Sequence, residues 1–469
     1  MTHHWIKGFV VLGVICTQMV LAAPLATPLA LHPDNPHYFL FRGKPTVLIS
    51  SGEHYGAVLN LDFDFARYLD ELHSCDLNHT RLFAGTYHEV PGNFGIADNT
   101  LAPAARRFIA PWLRSGTPGC ADGGNRFDLT QFDPAFVDRF KAFLQRASEA
   151  GIIVEVNLFC PNYEDSMWNV SPMNIANNVN GIGDMPRSDV YTLKHPELLA
   201  IQDAVVRKVV SECRSFDNVY FEVCNEPYFG GVTMEWQNHI IDVIGEAEKD
   251  LPHRHLISLN IANKNKKIDK PNPAVGIFNF HYCTPPDAVE TNWKLGKVIG
   301  ENETGFKGSK DVTYRTEGWE FIVAGGGLYN SLDYSFTVAH PDGTLTGYKA
   351  PGGGSPTLRR QLKTLHQFID GFEFVRMTPN NAIIQPGLPP DVTARALVET
   401  GKQYAIYVKG GTQVDLQVDL PAGKYAVKWL NPTTGKIDQS DTLNCPGGVE
   451  TLKSPKYSED IALSIKVAK

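Results

Sequence analysis

Asn218-Val-Tyr-Phe-Glu-Val-Cys-Asn-Glu-Pro227 decides how this chain is read. Its first part is a strand-forming run of apolar and aromatic residues, the pattern of a buried strand. It stops at an amide, a carboxylic acid and a proline. Two polar side chains at the end of a buried strand are placed where the top face of a (β/α)₈ barrel holds its active site, provided that the strand is one of a parallel series.

The flanking sequence supplies that series. From about residue 38, short β-branched runs alternate with longer amphipathic segments, the signature of βα units around a parallel sheet. Strands are expected at 46–49, 78–83, 152–159, 218–224, 256–260, 275–281, 297–300 and 328–336, with 218–224 the fourth. Helices are expected at 62–72, 133–150, 196–210, 234–250 and 358–374. Asp133-Pro134 is a strong helix start, an N-cap followed by proline at the first helical position. Residues 85–130 lack periodicity and read as one long loop above the second strand, and loops of that length are usually functional. This loop could close one end of a cleft. The triple Gly325-Gly326-Gly327 has no dinucleotide-binding context and is expected to permit close packing before strand eight.

Beyond Met377 the texture changes to alternating segments at 404–409, 414–420, 425–429 and 461–467, separated by Gly, Pro and Asn turns. The expected architecture is therefore an α/β (β/α)₈ TIM barrel over 35–376, followed by a small C-terminal antiparallel β-sandwich over 377–469. A length of 469 residues suits one large and one small domain.

At the N-terminus, His3, His4 and Lys7 precede an apolar run from Phe9 to Leu21, then Ala22 and Ala23. This is the layout of a signal peptide over 1–22, too short and too interrupted for a spanning helix, and it predicts a secreted or periplasmic protein. Ile15 stands where a lipoprotein signal at Cys16 would need a small residue. The net charge of −8 offers no basic footprint for nucleic acid and no polybasic segment for a membrane surface. The remaining cysteines, Cys75, Cys120, Cys160, Cys213, Cys224, Cys283 and Cys445, are odd in number and scattered, so zinc sites are not expected and most should be core residues. No metal or other cofactor is expected, and nothing in the sequence sets the oligomeric state. Sequons at Asn78 and Asn302 are expected at strand ends on the catalytic face, where a glycan would obstruct the site; a third lies at Asn169.

The chain has no Gly-x-Ser-x-Gly elbow, no His-Glu-x-x-His helix and no phosphate loop. The Asn225-Glu226-Pro227 segment resembles the acid/base motif of the retaining clan A glycoside hydrolases, the cellulase-like barrels. The opening Asn35-Pro-His-Tyr-Phe-Leu-Phe-Arg-Gly-Lys-Pro, the Asn78-His-Thr-Arg of strand two and the closing 425–435 segment are similar to cellulase-like and apiosidase-like members. In that clan the acid/base follows an Asn at the end of strand four, and the nucleophile ends strand seven. The resemblance implies that Glu226 is the acid/base and that a strand-seven carboxylate attacks the sugar.

Strand seven supplies two acids, in Lys297-Val-Ile-Gly-Glu301-Asn302-Glu303-Thr304-Gly305. Two apart, they should face the same side of an extended strand. Glu303 is preferred because it lies nearer the catalytic end; Glu301 remains the second choice. Retaining hydrolysis needs two carboxyls about 5 to 5.5 Å apart, one protonating the leaving oxygen while the other attacks.

The resemblance further assigns Arg81 and Tyr282 to contact the nucleophile, places His281 beside them, and gives Asn225 the sugar 2-hydroxyl. Substrate contacts are also expected from His54, Tyr55, Tyr87, Asn157, Trp168 and Tyr334, with Glu53, His88, Glu89, Trp112 and Trp293 as further candidates. The partner so implied is a carbohydrate carrying a β-linkage. A transglycosylase on the same scaffold and a non-catalytic carbohydrate-binding protein are the alternatives.

Overall fold

The computed structural model describes residues 1–3 and 27–468. All but the first three residues of the expected signal peptide lie outside them. Eight strands, β1 (Leu48–Gly52), β2 (His79–Phe83), β3 (Ile153–Phe159), β4 (Val219–Cys224), β5 (Ile257–Asn263), β6 (Ile277–His281), β7 (Val298–Glu303) and β8 (Leu328–Leu332), form one sheet in the order β1-β8-β7-β6-β5-β4-β3-β2. The pairings are parallel. This is the nearly closed barrel of a TIM-type fold.

The seam lies between β1 and β2, and Asn78 stitches it. Its backbone N–H donates to Ile49 O (3.3 Å), its Oδ1 accepts from Ile49 N (2.9 Å), and its Nδ2 donates to Val47 O (2.8 Å). A side-chain amide here does the work of a ladder peptide. Asn78 therefore sits at the N-terminal end of β2, opposite the catalytic face where its sequon was expected, and Asn302 is buried inside the barrel. A glycan at neither would hang over the site.

Helices follow most strands. Phe65–Ser74 and Pro134–Glu149 begin at Asp64 and Asp133, whose side chains accept from Ala66 N and Ala135 N; the second carries proline in its first turn. After β5 the chain returns to β6 without a helix. The expected loop over 85–130 contains an antiparallel hairpin, Trp112–Pro118 with Asn125–Phe132, whose strands are short and largely exposed and so carry little hydrophobic alternation.

The helix Asp311–Val323, absent from the sequence reading, is buried from Tyr314 to Val323. It has no polar face because the C-terminal sheet covers the side away from the barrel. Trp319 stacks on Tyr407 (5.4 Å between ring centroids), and Arg315 Nη2 donates to Asp460 Oδ1 (2.8 Å). Immediately after it the glycine triple lets the chain turn tightly: a Cβ on Gly326 would lie 2.3 Å from the Phe321 ring.

The C-terminal region forms a six-stranded antiparallel sheet and a two-stranded one, Asp415–Leu420 with Gly448–Lys453. Alternation sorts its side chains. Tyr404, Ile406 and Val408 face the smaller sheet, while Ala405 and Tyr407 join the core of the barrel. The polar segment Ile437–Cys445 escaped the sequence reading because it is an exposed edge strand. All seven described cysteines are buried and free. No helix among the described residues is long and apolar enough to cross a membrane.

Candidate active site

The carboxyl ends of β4, β6 and β7 bring together Glu226, His281 and Glu303, whose nearest ligand atoms all lie within 4.8 Å of one another. Local backbone decides that convergence. On β7 the register against β6 shifts, so that Phe280 pairs with Glu301 but His281 pairs with Glu303. The irregularity breaks side-chain alternation. Asn302 and Glu303 both reach into the barrel, whereas Glu301 turns away to accept from Cys283 N (2.7 Å). The expectation that Glu301 and Glu303 share a face fails for this reason. Burial and neighbouring Glu317 push the Glu301 carboxyl well up.

Glu303 is held on both oxygens. Oε2 accepts from Tyr55 Oη (2.8 Å) and Arg81 Nη1 (3.3 Å), and Oε1 accepts from Tyr282 Oη (2.8 Å). Burial alone would raise this carboxyl, but His281, Arg81 and Tyr282 outweigh it and hold it far below the ordinary carboxylate range. Glu226 is likewise bracketed, Oε2 by Tyr163 Oη (2.7 Å) and Oε1 by Tyr228 Oη (3.1 Å). His281 Nδ1 stands 3.2 Å from Glu226 Oε1 and 3.4 Å from Glu303 Oε1. Its burial disfavours a charge, yet the two carboxylates prevail and raise it to about 10.

Arg81 is the floor. Its guanidinium donates to Glu155 (2.6 Å), Glu222 (2.7 Å), Asn225 Oδ1 (3.0 Å) and Glu303, and lies over the Tyr55 ring at 4.4 Å. Burial and repulsion from Glu155 push the Glu222 carboxyl up to about 7. Asn225 uses its other end on Tyr163 Oη (2.9 Å).

A cavity of about 630 Å³ opens above this floor, with Asn225, Glu226, Tyr282 and Glu303 at its base. His54 and Tyr55 also line it, as does Glu89, whose burial raises its carboxyl to about 7. The long β2 loop contributes one wall through Glu89, Phe94 and Leu101. Of the nine non-glycine residues with left-handed backbone among the described residues, four line this cavity: Tyr55, Phe94, Glu226 and Tyr282. Such conformations persist where surrounding structure enforces them, typically at functional sites.

Several expected contacts lie elsewhere. Asn157 is inside the barrel, donating to Glu222 Oε1 (2.9 Å). Tyr87 is buried behind the wall on Glu89 and Met167, and Trp168 is core, its indole spent on Met185 O (3.0 Å). Tyr334 is buried behind His54, edge-on to its ring. Glu53 ties the backbone at Gly56 and Ala57, His88 bonds main-chain carbonyls, Trp112 is wholly buried, and Trp293 stacks on His37. Asn157 is taken up by the barrel interior itself, and the others pack against neighbouring segments, which local sequence does not reveal.

The sequence reading missed Tyr163, Tyr228, Glu155 and Glu222. An acid in the middle of an otherwise apolar strand, as in Ile153-Val-Glu-Val and Val219-Tyr-Phe-Glu-Val, is a signal that could have found the last two, since a charge there must meet a partner. The two tyrosines sit in loops and carry no such signal. Glu226, His281 and Glu303 offer the donor set for a cation, but three of the four carboxylate oxygens already accept tyrosine hydroxyls and the fourth, Glu226 Oε1, faces His281 Nδ1 and the Tyr228 hydroxyl.

No protein-family model and no curated protein matches the chain. Solved structures do. A candidate glycoside hydrolase from Bacteroides vulgatus ATCC 8482 aligns over 94% of this chain and 82% of its own, with TM-score 0.66 and 14% identity. A family 5 glycoside hydrolase from the same organism aligns over 94% and 93%, with TM-score 0.61 and 13% identity. A further glycoside hydrolase aligns over 94% and 97%, with TM-score 0.62 and 13% identity. The chain thus has the fold of these glycoside hydrolase structures, an eight-stranded parallel barrel followed by antiparallel sheets.

Proposed function

We propose that this chain is a retaining glycoside hydrolase acting on a β-linked glycoside, with Glu303 as nucleophile and Glu226 as acid/base. The observation that carries the reading is the approach of the two carboxyl groups to within 4.8 Å. An oxygen of each carboxyl within that distance of the other supports the roughly 5 to 5.5 Å separation of retaining enzymes over the roughly 6.5 to 9.5 Å at which inverting enzymes hold theirs.

Hydrogen bonding separates the roles. Glu303 receives three donors and carries the depressed carboxyl, which keeps it ionised and aimed. Tyr228 has one hydroxyl hydrogen, and Asn263 Oδ1 at 2.6 Å is a nearer acceptor than Glu226 at 3.1 Å. With that hydrogen on Asn263, Tyr163 is the one hydroxyl that donates to Glu226, against the three donors on Glu303. In the first step the Glu226 proton passes to the glycosidic oxygen as Glu303 bonds to the anomeric carbon. In the second, Glu226 takes a proton from water, which displaces Glu303. Export to the periplasm or medium belongs to the same proposal, motivated by the N-terminal apolar run, and N-terminal sequencing of native protein would check it.

The test is the anomer first released from a glycan panel, read by proton NMR. A β-product is expected. A first-formed α-product would exclude double displacement, and the absence of any release from the panel would exclude the hydrolase itself. Glu226→Ala should lose about 10²- to 10⁴-fold in rate and regain turnover with azide as a β-glycosyl azide.

A further inference from the structure

Three phenylalanines, Phe94, Phe229 and Phe306, are the exposed ones among the described residues, at 38%, 44% and 41%, and all three line the one cavity that holds the carboxylate pair. They arrive from separate loops, after β2, β4 and β7. Their rings join site tyrosines in an unbroken series of contacts. Tyr228 meets Phe229 (5.0 Å between centroids), Phe229 meets Tyr163 (5.9 Å), Tyr163 meets Phe94 (5.5 Å), Phe94 meets Phe306 (6.3 Å), and Phe306 meets Tyr282 (6.2 Å). The tyrosines turn their hydroxyls down to the carboxylates, and the phenylalanines stand at the mouth.

Phe94 is held there at a conformational cost. Its φ of 55° is left-handed, which a bulky residue rarely adopts, and it sits between Gly92 (φ 85°) and Gly95 (φ 73°), which take that conformation freely. A left-handed turn thus holds at the mouth a ring that is still 38% exposed and touches only other rings of the collar among the aromatic residues. Clustered exposed apolar groups mark a binding surface.

We infer that the mouth receives an apolar leaving group, so that the substrate is a β-glycoside of an alkyl or aryl alcohol rather than an internal link of a glycan. The inference rests on the hydrolase reading above. Its chemistry follows from the layout of the cavity. Asn225, Glu89 and His54, polar residues that can meet sugar hydroxyls, line the cavity and are largely buried, as the carboxylates are; Glu164 and Lys307 also line it but are exposed beside Tyr163 and Phe306, and Lys307 Nζ is spent on Glu317. A phenyl ring offers no hydrogen bond, so a sugar in the collar could use only its apolar face and would keep its hydroxyls in water, whereas an apolar chain or ring buries its whole surface there at no polar cost. The sugar then occupies the base and its aglycone passes outward through the collar. When Glu226 protonates the glycosidic oxygen, the aglycone departs as the neutral alcohol and Glu303 keeps the glycosyl group until water takes it.

The experiment compares n-octyl with methyl β-D-glycosides of glucose, galactose, mannose and xylose, the octyl compounds below their micellar concentrations. Both leave as aliphatic alcohols of similar acidity, so a difference reports the collar and not the chemistry. The octyl compound of an accepted sugar should show a kcat/KM about tenfold or more above the methyl compound. The triple variant Phe94→Ala, Phe229→Ala, Phe306→Ala should bring that ratio close to one. An aryl arm, benzyl against methyl, tells whether the collar prefers a ring or a chain. Equal rates for octyl, benzyl and methyl glycosides, with glycans still cleaved, would overturn the inference and leave the hydrolase reading intact. If no glycoside turns over, that reading fails, and calorimetric titration with n-octanol decides the collar by itself. Saturable binding that the triple variant loses supports it, and no saturable binding overturns it.

Discussion

Arg81 inside the barrel and Arg315 between the barrel and the C-terminal sheet are both buried, yet they stand in opposite balance. Arg315 forms a two-point pair with one buried carboxylate, Asp460, which also accepts from Tyr407 Oη (2.9 Å); its other partner, Glu459, is half exposed. Arg81 serves three buried carboxylates at once, Glu155, Glu222 and Glu303. A closed pair adds geometry to a contact. An arginine shared among three acids leaves excess negative charge in a medium that tolerates it poorly: burial and then repulsion from Glu155 raise Glu222, and Glu303 with Glu226 raises His281. Structural charge is neutralised locally, and the candidate catalytic charge is not.

Removing each arginine should break the two regions differently. Arg81→Met leaves three acids without their cation and should destabilise by about 4 kcal/mol, seen as a large fall in denaturation midpoint, with activity lost even where the fold persists. Arg315→Met should cost about 2 kcal/mol, with kcat/KM within twofold of the parent. That loss should shrink as pH falls, because a protonated Asp460 needs no counter-charge. Equal activity losses in the two variants would abolish the distinction.

His281 offers a pH test of the same imbalance. Its folded value lies above the ordinary 6.5, so its pairing contributes fully below about 6.5 and is lost as pH rises through about 10. Glu303 runs the other way. Its depressed value means that its pairing is present above the ordinary carboxylate range and lost as pH falls toward the folded value. His281→Asn should therefore move the acid limb of kcat/KM upward, lower the plateau by roughly ten- to a hundredfold, and remove the loss of stability near pH 10. Rate profiles and melting curves across pH read both; an unmoved acid limb would show that His281 does not hold Glu303 ionised.

The smallest effect is expected at Glu301. Glu301→Gln keeps the acceptor for Cys283 N and places an amide where Oε2 now has no partner, so stability should change by about 1 kcal/mol or less and kcat/KM by a few-fold at most. Loss of activity here with retention in Glu303→Gln would reverse the assignment of the nucleophile.

Most barrel strands could be read from sequence to within a few residues, because a strand buried on both faces is a short apolar run wherever it lies. Helices with one wet face were equally legible. Asp311–Val323 was not, since the C-terminal sheet removes its wet face and with it the periodicity that marks a helix. At the site, Glu226, Glu303, Arg81, Asn225, His281 and Tyr282 could be named through the resemblance to clan A motifs; all but Arg81, which lies in the middle of β2, stand at or just past a strand end, and the ends of parallel strands meet at one face of a barrel. Tyr163, Tyr228 and the three phenylalanines come from loops, whose paths depend on what they pack against. Trp168 was misplaced for the same reason in reverse, and Asn157 because it lies within β3 and spends its amide on Glu222 inside the barrel.

The order of strands and the polar residues that end them were thus determined by the sequence alone, because apolar periodicity and chain length leave a parallel barrel few alternatives. Which strand-seven acid faces Glu226, and what closes around the pair, only the tertiary structure decided. One shifted pairing between β6 and β7 turns Glu303 inward and Glu301 out, and a register is set by neighbouring strands together, not by the residues of either one.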